Sequence, residues 1–476
     1  MDANQIRSLK PELRKYLKRF DDCFKRSDTR EHLAVYVEGQ LSDLPRKNCE
    51  PIADARGIPP RTLQQFLSLL DGDQGLMKAK LQQRVATEHA SPHSVGMNDE
   101  TACAKKGEKT PGVQRQWCGA TGKKDNGIVT VHLAYAVDDF HCLVESELFL
   151  PERWSHDRPR CQRADIPDDM VHRPKTDIAL ELYDRARANG LVFRWLTFEE
   201  GHGKNVAFLD ALRPREQPFV AEVPVTCTGW IDPPRVTTRQ RKRTGRPAKI
   251  PRLAQHAAPF RAVREMLMEP ALRDQAWEAW RVKDGAKEPQ VWEVKHVWFP
   301  PRGTDGLPQA GAHLVVARNV LDPEKLKFFV GHAPPETSVG VLLKVAFSRW
   351  RVKSCFEDEK TELGFDHFEG RSYLGLMGHQ TITAVTHLFL ARMQQAWRGK
   401  KPGVDGLPGA HRGRGTGAIV VANGLRPKPL ARTDRHDHYA DPTAQRRRTQ
   451  KPSKTHDQPL TSKQYLATEP PTMQVG

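Results

Sequence analysis

The chain has 476 residues, enough to bury a large core and to build two or three domains. Its formal net charge is +17, and a basic excess of this size favours a polyanionic partner, nucleic acid first. No segment approaches the ~20 apolar residues that cross a bilayer, and the charged amino terminus lacks the apolar core of a signal peptide. We therefore expect no membrane partner and place the protein in the cytoplasm, acting at the chromosome.

The cysteines are scattered single residues, and no two of them form a C-x-x-C pair. This spacing argues against a zinc knuckle and suits a reducing compartment. The positions are Cys23, Cys49, Cys103, Cys118, Cys142, Cys161, Cys227 and Cys355.

Residues 1–90 are predicted to be all-helical, with amphipathic segments at 6–20 and 30–40. The stretch 50–70, EPIADARGIPPRTLQQFLSLL, has the pattern of a helix-turn-helix, with a turn at Gly57 and a second helix that begins at two prolines. An ordinary helical hairpin has the same pattern, and the net charge favours the DNA-binding alternative. The polar residues of the second helix that would contact phosphates and base edges are Arg61, Thr62, Gln64 and Gln65.

Residues 91–225 alternate between strand and helix patterns. Two predicted strands end in acidic pairs, the first at Asp99 and Glu100 and a later one at Glu199 and Glu200. Polar groups at the carboxyl ends of neighbouring strands in such a sheet converge on one site. The predicted strands are 94–98, 129–137, 142–150, 191–198 and 218–225, and the predicted helices are 208–212 and 176–188, the latter with Thr176 as its N-cap and Gly190 after its end.

Residues 232–258 form a proline- and arginine-rich break that contains RQRKRTGRPAK. A flexible basic run can follow a phosphate backbone or enter a minor groove, and a basic surface loop would have the same composition. Three strand patterns at 291–299, 313–319 and 326–330 then indicate an inserted sheet. The residues of the break assigned to DNA are Arg241, Lys242, Arg243 and Arg246.

A long helix is predicted from 338 to 363, because helix-forming residues are plentiful there and Gly364 follows. A second helix covers 374–397. A solvated helix surface would show the same ordered charges as a functional face. The residues on one face of the long helix are Arg349, Lys353, Phe356 and Lys360.

From residue 399 onward Gly, Pro, Arg and His dominate, and apolar periodicity is largely lost. We expect a disordered basic tail over 399–476. A frameshift in the gene would give the same change in composition.

Three stretches resemble the DDE transposases of bacterial insertion sequences: NDETACAKKG with GVQRQWCGATGKKDNG after it, LTFEEGHGK, and RWRVKSCFEDEKTELGFDHFEGRSYLG. They are most similar to the branch with the Y-x2-R-x3-E-x6-K signature. The resemblance implies an α/β fold, a ribonuclease-H-like catalytic domain with a β-rich insertion between the second and third acids. The N-terminal helical DNA-binding domain predicted above precedes it. Together with the patterns above, the predicted divisions are 1–90 (helix-turn-helix-like DNA-binding domain), 91–225 (first part of the catalytic domain), 226–335 (basic linker and insertion), 336–398 (catalytic-domain helices) and 399–476 (disordered basic tail).

The resemblance also implies a site where three carboxylates hold two divalent cations, Mg²⁺ or Mn²⁺, for phosphodiester cleavage and strand transfer. The first acid falls on Asp99. The second falls on Glu199, where the family has Asp, and the third on Lys353, where the family has Glu. Arg349 and Lys360 match the signature, whose Tyr is absent. The implied partners are DNA, as transposon ends and target, and a second copy of the chain, so that a homodimer forms on DNA.

These departures from the family pattern predict impaired catalysis. Glu199 is one methylene longer than Asp, and octahedral Mg²⁺ tolerates displaced ligands poorly. The ammonium of Lys353 has no lone pair for a metal ion and repels the cation. Glu357, one helical turn further on, is the candidate substitute, and Glu100 and Glu200 are further acids nearby. Two alternatives stay open: an active transposase that uses Glu357, and a co-opted DNA- or RNA-binding protein without catalytic function.

Overall fold

A computed structural model describes residues 3–69, 73–119, 121–240, 249–284 and 289–398. The four basic residues assigned to DNA in the break, Arg241, Lys242, Arg243 and Arg246, lie outside these ranges, as does the predicted tail over 399–476. The fold of the described residues is mixed α/β around a central mixed sheet. No helix in those ranges has the length and apolarity that a membrane crossing requires.

The helices and strands are numbered in chain order. The helices are α1 (Ala3–Leu17), α2 (Ser27–Gln40), α3 (Cys49–Arg56), α4 (Pro60–Leu69), α5 (Gln74–Glu88), α6 (Glu152–Ser155), α7 (Arg158–Arg163), α8 (Lys175–Ala188), α9 (Glu200–Gly203), α10 (Val206–Leu212), α11 (Val263–Met266), α12 (Pro270–Arg273), α13 (Val339–Ser348), α14 (Trp350–Glu362) and α15 (Tyr373–Arg398). The strands are β1 (Val95–Ala104), β2 (Gln114–Cys118), β3 (Lys123–Val137), β4 (Phe140–Leu148), β5 (Trp195–Phe198), β6 (Phe219–Val223), β7 (Thr228–Gly229), β8 (Val236–Gln240), β9 (Lys249–Leu253), β10 (Arg261–Ala262), β11 (Glu278–Asp284), β12 (Pro289–Phe299), β13 (Ala312–Asn319) and β14 (Leu326–His332).

The central sheet has the strand order β11-β12-β13-β14-β6-β5-β1-β3-β2, and β4 pairs with β3. The pairs β1–β5 and β5–β6 are parallel, while the strands on both sides of this parallel centre are antiparallel. Side chains alternate between the two faces of each strand. One face packs against α8, and the other packs against α13 and α14.

The N-terminal helices are confirmed, and they share a buried core with α15. The hydroxyl of Tyr16 donates to the carbonyl of Val385 over 2.8 Å, and the amide of Gln40 donates to Thr383 over 2.7 Å. Between α3 and α4 the chain turns at Gly57, whose φ of 66° favours glycine. Because α15 belongs to the same core, its position and that of the N-terminal helices depend on each other.

The strands differ in their bounds from the predicted ones, and two of these differences concern the candidate site. The strand expected to end at residue 98 continues as β1 to Ala104, because β3 pairs with it along its whole length. Asp99 therefore lies within a strand, at the point where the parallel pairing with β5 ends. The strand expected over 191–198 is paired only from Trp195, because the Leu191 amide still bonds to Ala186 at the end of α8.

The predicted long helix is divided at Arg349 into α13 and α14. The hydroxyl of Ser348 donates to the carbonyl of Val345 over 2.7 Å, and such a bond competes with the regular helical bonds and bends a helix. The next bond, from the Val352 amide to the Arg349 carbonyl, spans three residues instead of four. Gly364 ends α14 as predicted, with a φ of 72°.

The start of α8 corrects a smaller prediction. Thr176 does not cap this helix, because Pro174 holds the N-cap position and the Thr176 hydroxyl accepts a bond from Asn205 instead. Gly190 follows the helix end with a φ of 88°, as predicted.

Candidate functional site

Strand register places three carboxylates in one row across the parallel centre of the sheet. Asn98 pairs with Phe198, and Phe198 pairs with Ala221. The next residues along the three strands are Asp99, Glu199 and Glu222. They share the sheet face that packs against α13 and α14, because Met97 and Val220, two residues earlier on β1 and β6, are buried there.

Arg349 lies among these three carboxylates. Its Nη1 atom is 3.1 Å from Glu199 Oε2 and 3.6 Å from Asp99 Oδ2, and its Nη2 atom is 3.8 Å from Glu222 Oε2. The position follows from the break between α13 and α14, which directs this residue from the helix junction toward the ends of the parallel strands. Glu222 also pairs with Lys327 on β14. The guanidinium thus neutralises part of a dense negative cluster.

Asp99 is the buried member of the row, with a side chain only 4% exposed. Burial raises its pKa to about 7, and the negative charge of Glu199 adds to the rise. The Glu100 amide, which donates to Oδ1 over 2.8 Å, and the charges of Arg349 and Lys353 act in the opposite direction. Asp99 therefore exchanges a proton near neutral pH, where an ordinary aspartate is fully ionised.

The structure brings Lys353 near this row, since its charge lowers the pKa of Asp99. Its side chain is exposed on α14. Glu357 is also exposed, and the charges with the largest effects on the pKa of Asp99 do not include it. Lys360 is anchored further along β1, where its ammonium donates to the Thr101 hydroxyl over 2.7 Å and to the carbonyl of the next residue over 3.1 Å.

The two further acids named from the sequence lie apart from the row. Glu100 alternates to the opposite face of β1, where it pairs with Lys175 of α8. Glu200 is exposed at the start of α9. On the same helix His202 is 2% exposed, and burial lowers its pKa. Neither glutamate is therefore placed to complete the row.

The predicted DNA-binding residues of α4 lie on its outer side. Arg61, Gln64 and Gln65 are exposed and Thr62 is half-buried. The opposite side of the helix is buried against the core through Leu63, Phe66 and Leu67. This arrangement leaves the polar residues accessible to a partner.

Glu222 is the residue of this site that sequence reasoning missed. It lies inside the alternating pattern of β6 and belongs to none of the three stretches that carry the family resemblance. The pairing register of the strands would have identified it. If β5 and β6 pair as parallel strands with Phe198 opposite Ala221, the residues that follow, Glu199 and Glu222, must lie side by side. That pairing is a long-range property that local patterns do not specify.

A family model described as a DDE superfamily endonuclease matches residues 19–289, which is more than half of the chain. The chain belongs to this superfamily. The matched range of this DDE superfamily member contains Asp99, Glu199 and Glu222, and it ends before Arg349 and Lys353.

This DDE superfamily protein is also 31% identical, over 182 residues, to the probable transposase for insertion sequence element IS701 of Microchaete diplosiphon. The aligned part is 37% of this chain and 44% of that relative, so the chain matches less than half the relative's length. The resemblance to the DDE transposases of insertion sequences is thereby confirmed.

DDE superfamily nucleases use divalent metal ions, typically Mg²⁺ or Mn²⁺. Asp99, Glu199 and Glu222 offer the hard oxygen ligands that such ions require. However, the guanidinium of Arg349 lies among them, and the positive charge of Lys353 acts on Asp99. No group of three or more His, Cys, Asp or Glu side chains in the described ranges is placed to hold a metal ion. The residues present therefore do not fit a two-ion site.

Proposed function

We propose that this protein is an insertion-sequence transposase that binds DNA and whose metal-dependent phosphodiester chemistry is impaired by Lys353 and Glu199. The observation that supports the proposal is that Arg349 contacts both Asp99 and Glu199, while the charge of Lys353 lowers the pKa of Asp99. The family membership and the similarity to an IS701 transposase support the same function.

The impairment follows from charge. Replacing a glutamate by Lys353 changes the local charge by two units, which is the charge of one divalent ion. In the family arrangement three carboxylates attract two such ions. Here the Lys353 ammonium replaces the third carboxylate and adds to Arg349, which the family signature shares, in balancing the negative charge of Asp99 and Glu199. The site is therefore poorly suited to concentrate a second cation.

DNA binding depends on other parts of the chain. The exposed polar side of α4, with Arg61, Gln64 and Gln65, can contact phosphates and base edges in a major groove. The basic residues of the break, from Arg241 to Arg246, add to the positive charge. These functions do not require the carboxylate row, so binding is retained where cleavage is lost.

A reversion experiment tests the proposal. The double variant Lys353→Glu with Glu199→Asp restores the family residues, while Lys353→Gln removes the ammonium without supplying a ligand and is the matched control. The probe is a supercoiled plasmid that carries the DNA flanking both ends of the gene, incubated with Mg²⁺ or Mn²⁺. We expect wild type and Lys353→Gln to bind the plasmid with little nicking, and the double variant to nick it.

Adding Asp99→Asn to the double variant should abolish the nicking. If the reverted protein binds the ends and never nicks them, the assignment of residues 99, 199 and 353 is wrong. If no variant distinguishes the ends from scrambled DNA, the co-opted nucleic-acid-binding alternative is favoured. If wild-type protein nicks the plasmid as well as the double variant does, an active transposase is favoured instead. A Glu357→Gln variant would then test the role of Glu357.

A further inference from the structure

The strands β2 and β3 form a hairpin whose outer surface combines cations with an exposed tryptophan. Residues 105–126 contain six basic and two acidic residues, a net charge of +4. Trp117 is 62% exposed, which is unusual for a large aromatic ring. Opposite it on β3 is Lys124, and Arg115 precedes it by two positions on β2.

Arg115, Trp117 and Lys124, called the hairpin surface below, face the same side of the sheet. Side chains alternate along each strand, so Arg115 and Trp117 share a face, and Lys124 joins them as the direct partner of Trp117. All three are exposed. The face is also that of Asp99, because Asp99 pairs with His132 and Lys124 lies eight positions, an even offset, before His132 on β3.

The hairpin is held firmly by the rest of the fold. Its strands pair from Gln114 to Cys118, and Cys118 is fully buried. The Asn126 amide donates to the carbonyls of Lys105 and Gly107, which fixes the preceding basic loop against the hairpin. The hairpin surface is therefore presented on a rigid element, as a recognition surface requires.

The distance from the hairpin surface to the carboxylate row suits a duplex. From His132, opposite Asp99, to Lys124 the strand advances eight residues, or at most ~27 Å of extended chain. That length corresponds to about eight base pairs at ~3.4 Å each. Between the two points, on the same face, Lys360 is anchored at Thr101.

We propose that the hairpin surface is a DNA contact of this protein, in which Arg115 and Lys124 pair with phosphates and the Trp117 ring packs against sugars and base edges. The inference rests on the proposed function, because it assumes that DNA lies on the face that carries Asp99. Charge complementarity selects a nucleic acid as the partner, since the surface carries cations around its single exposed ring.

The test measures the binding of a fluorescently labelled, mixed-sequence DNA duplex by fluorescence anisotropy at several salt concentrations. The variants are Arg115→Ala with Lys124→Ala, Trp117→Ala and Trp117→Phe. Matched controls come from another hairpin of the same sheet, between β13 and β14, where Leu321 is 77% exposed and Lys325 is exposed. The controls are Leu321→Ala and Lys325→Ala.

The variant that removes two charges and the variant that removes the aromatic ring should change the affinity and its salt dependence in different ways. Removing Arg115 and Lys124 should lower the slope of log K against log salt by about two and weaken binding roughly tenfold, because each phosphate contact contributes about 0.9 to the slope. Trp117→Ala should weaken binding about fivefold at every salt concentration without changing the slope. Trp117→Phe and both controls should bind within about twofold of wild type.

The outcomes separate this inference from the proposed function. If wild-type protein binds no duplex, both fall together. If wild type binds and the hairpin variants match it in affinity and salt slope, the hairpin contact is wrong while the proposed function stands. If Trp117→Ala leaves binding intact and changes the oligomeric state in analytical ultracentrifugation, the surface contacts protein and the DNA assignment is overturned.

Discussion

Replacing Arg349 by methionine should destabilise the protein in a pH-dependent way. The change keeps much of the side-chain volume and removes the charge shared by Asp99, Glu199 and Glu222. A charge pair at the 3.6 Å separation of Arg349 and Asp99 attracts with ~5 kcal/mol at an effective dielectric constant of ~20. Because desolvation offsets part of this attraction, removing one partner of a buried pair costs about 3–5 kcal/mol in practice.

The pH dependence comes from Asp99. With a pKa of about 7 in the folded protein, this carboxyl is protonated at about pH 5 and mostly ionised at about pH 8. At about pH 8, one unit above that pKa, the folded protein with Asp99 ionised is ~1.4 kcal/mol more stable than the folded protein with Asp99 protonated. Without Arg349 the pKa rises further, so up to this amount is lost at about pH 8 and none at about pH 5. We expect a cost of ~2 kcal/mol at about pH 5 and ~3 kcal/mol at about pH 8.

Urea unfolding followed by tryptophan fluorescence at both pH values measures this cost. Arg349→Lys is the matched control, because it keeps the charge but loses the planar fork that reaches several carboxylates, and it should show a smaller pH dependence. An equal cost of Arg349→Met at both pH values would refute the assignment of Asp99 as the titrating partner. No cost at either pH would show that the guanidinium does not hold the row together.

Two further predictions concern the carboxylate row and the end of α14. Asp99 has a pKa raised above its unfolded value, so its contribution to stability is present below about pH 4 and is lost as the pH rises through about 7. The free energy of unfolding should therefore decline by up to ~4 kcal/mol between about pH 4 and 8, and Asp99→Asn should remove this decline in unfolding titrations over that range. An unchanged decline in the variant would contradict the raised pKa. Gly364 has a φ of 72°, and an added Cβ would lie 2.6 Å from His367 Nδ1 and 2.7 Å from the Cβ of Lys47, so Gly364→Ala should cost ~2–3 kcal/mol. The control Gly190→Ala has a φ of 88° and nothing within 4 Å, so it should cost only ~1 kcal/mol in the same urea assay. Equal costs would show that the contacts with His367 and Lys47 are unimportant.

Local sequence patterns predicted the elements whose signals are local. The second long helix, expected over 374–397, is α15 with one more residue at each end. The turn at Gly57 and the helix end at Gly364 were predicted because only glycine readily adopts the positive φ found there. Strand alternation located β3 and β4, though β3 begins at Lys123, six residues before the predicted start.

Long-range pairing explains what the sequence did not predict. The extension of β1 past Asp99 depends on β3, which satisfies its backbone over the whole length. The break at Arg349 depends on a Ser348 hydroxyl that bonds inside the helix. Glu222 joins the site only through the register of β5 and β6. Each of these features is specified by a partner far away in the sequence or by one side-chain bond, so periodicity could not reveal it.

Several residues of the candidate site were predicted from the sequence, but their arrangement was not. Residues 99, 199 and 349 do meet, and the charge of Lys353 acts on Asp99. The roles given to them stay predictions. The sequence did not show that Arg349 lies among the carboxylates, because helix periodicity places it on a face but does not specify its partners across the sheet.

Binding of Mn²⁺ to the purified protein, measured by isothermal titration, tests the central claim most directly. The account predicts fewer than two ions per chain for wild type and for Lys353→Gln, and two ions for the double variant Lys353→Glu with Glu199→Asp. Two ions bound by wild-type protein as tightly as by the double variant would contradict it, because the ammonium at position 353 would then leave the site intact.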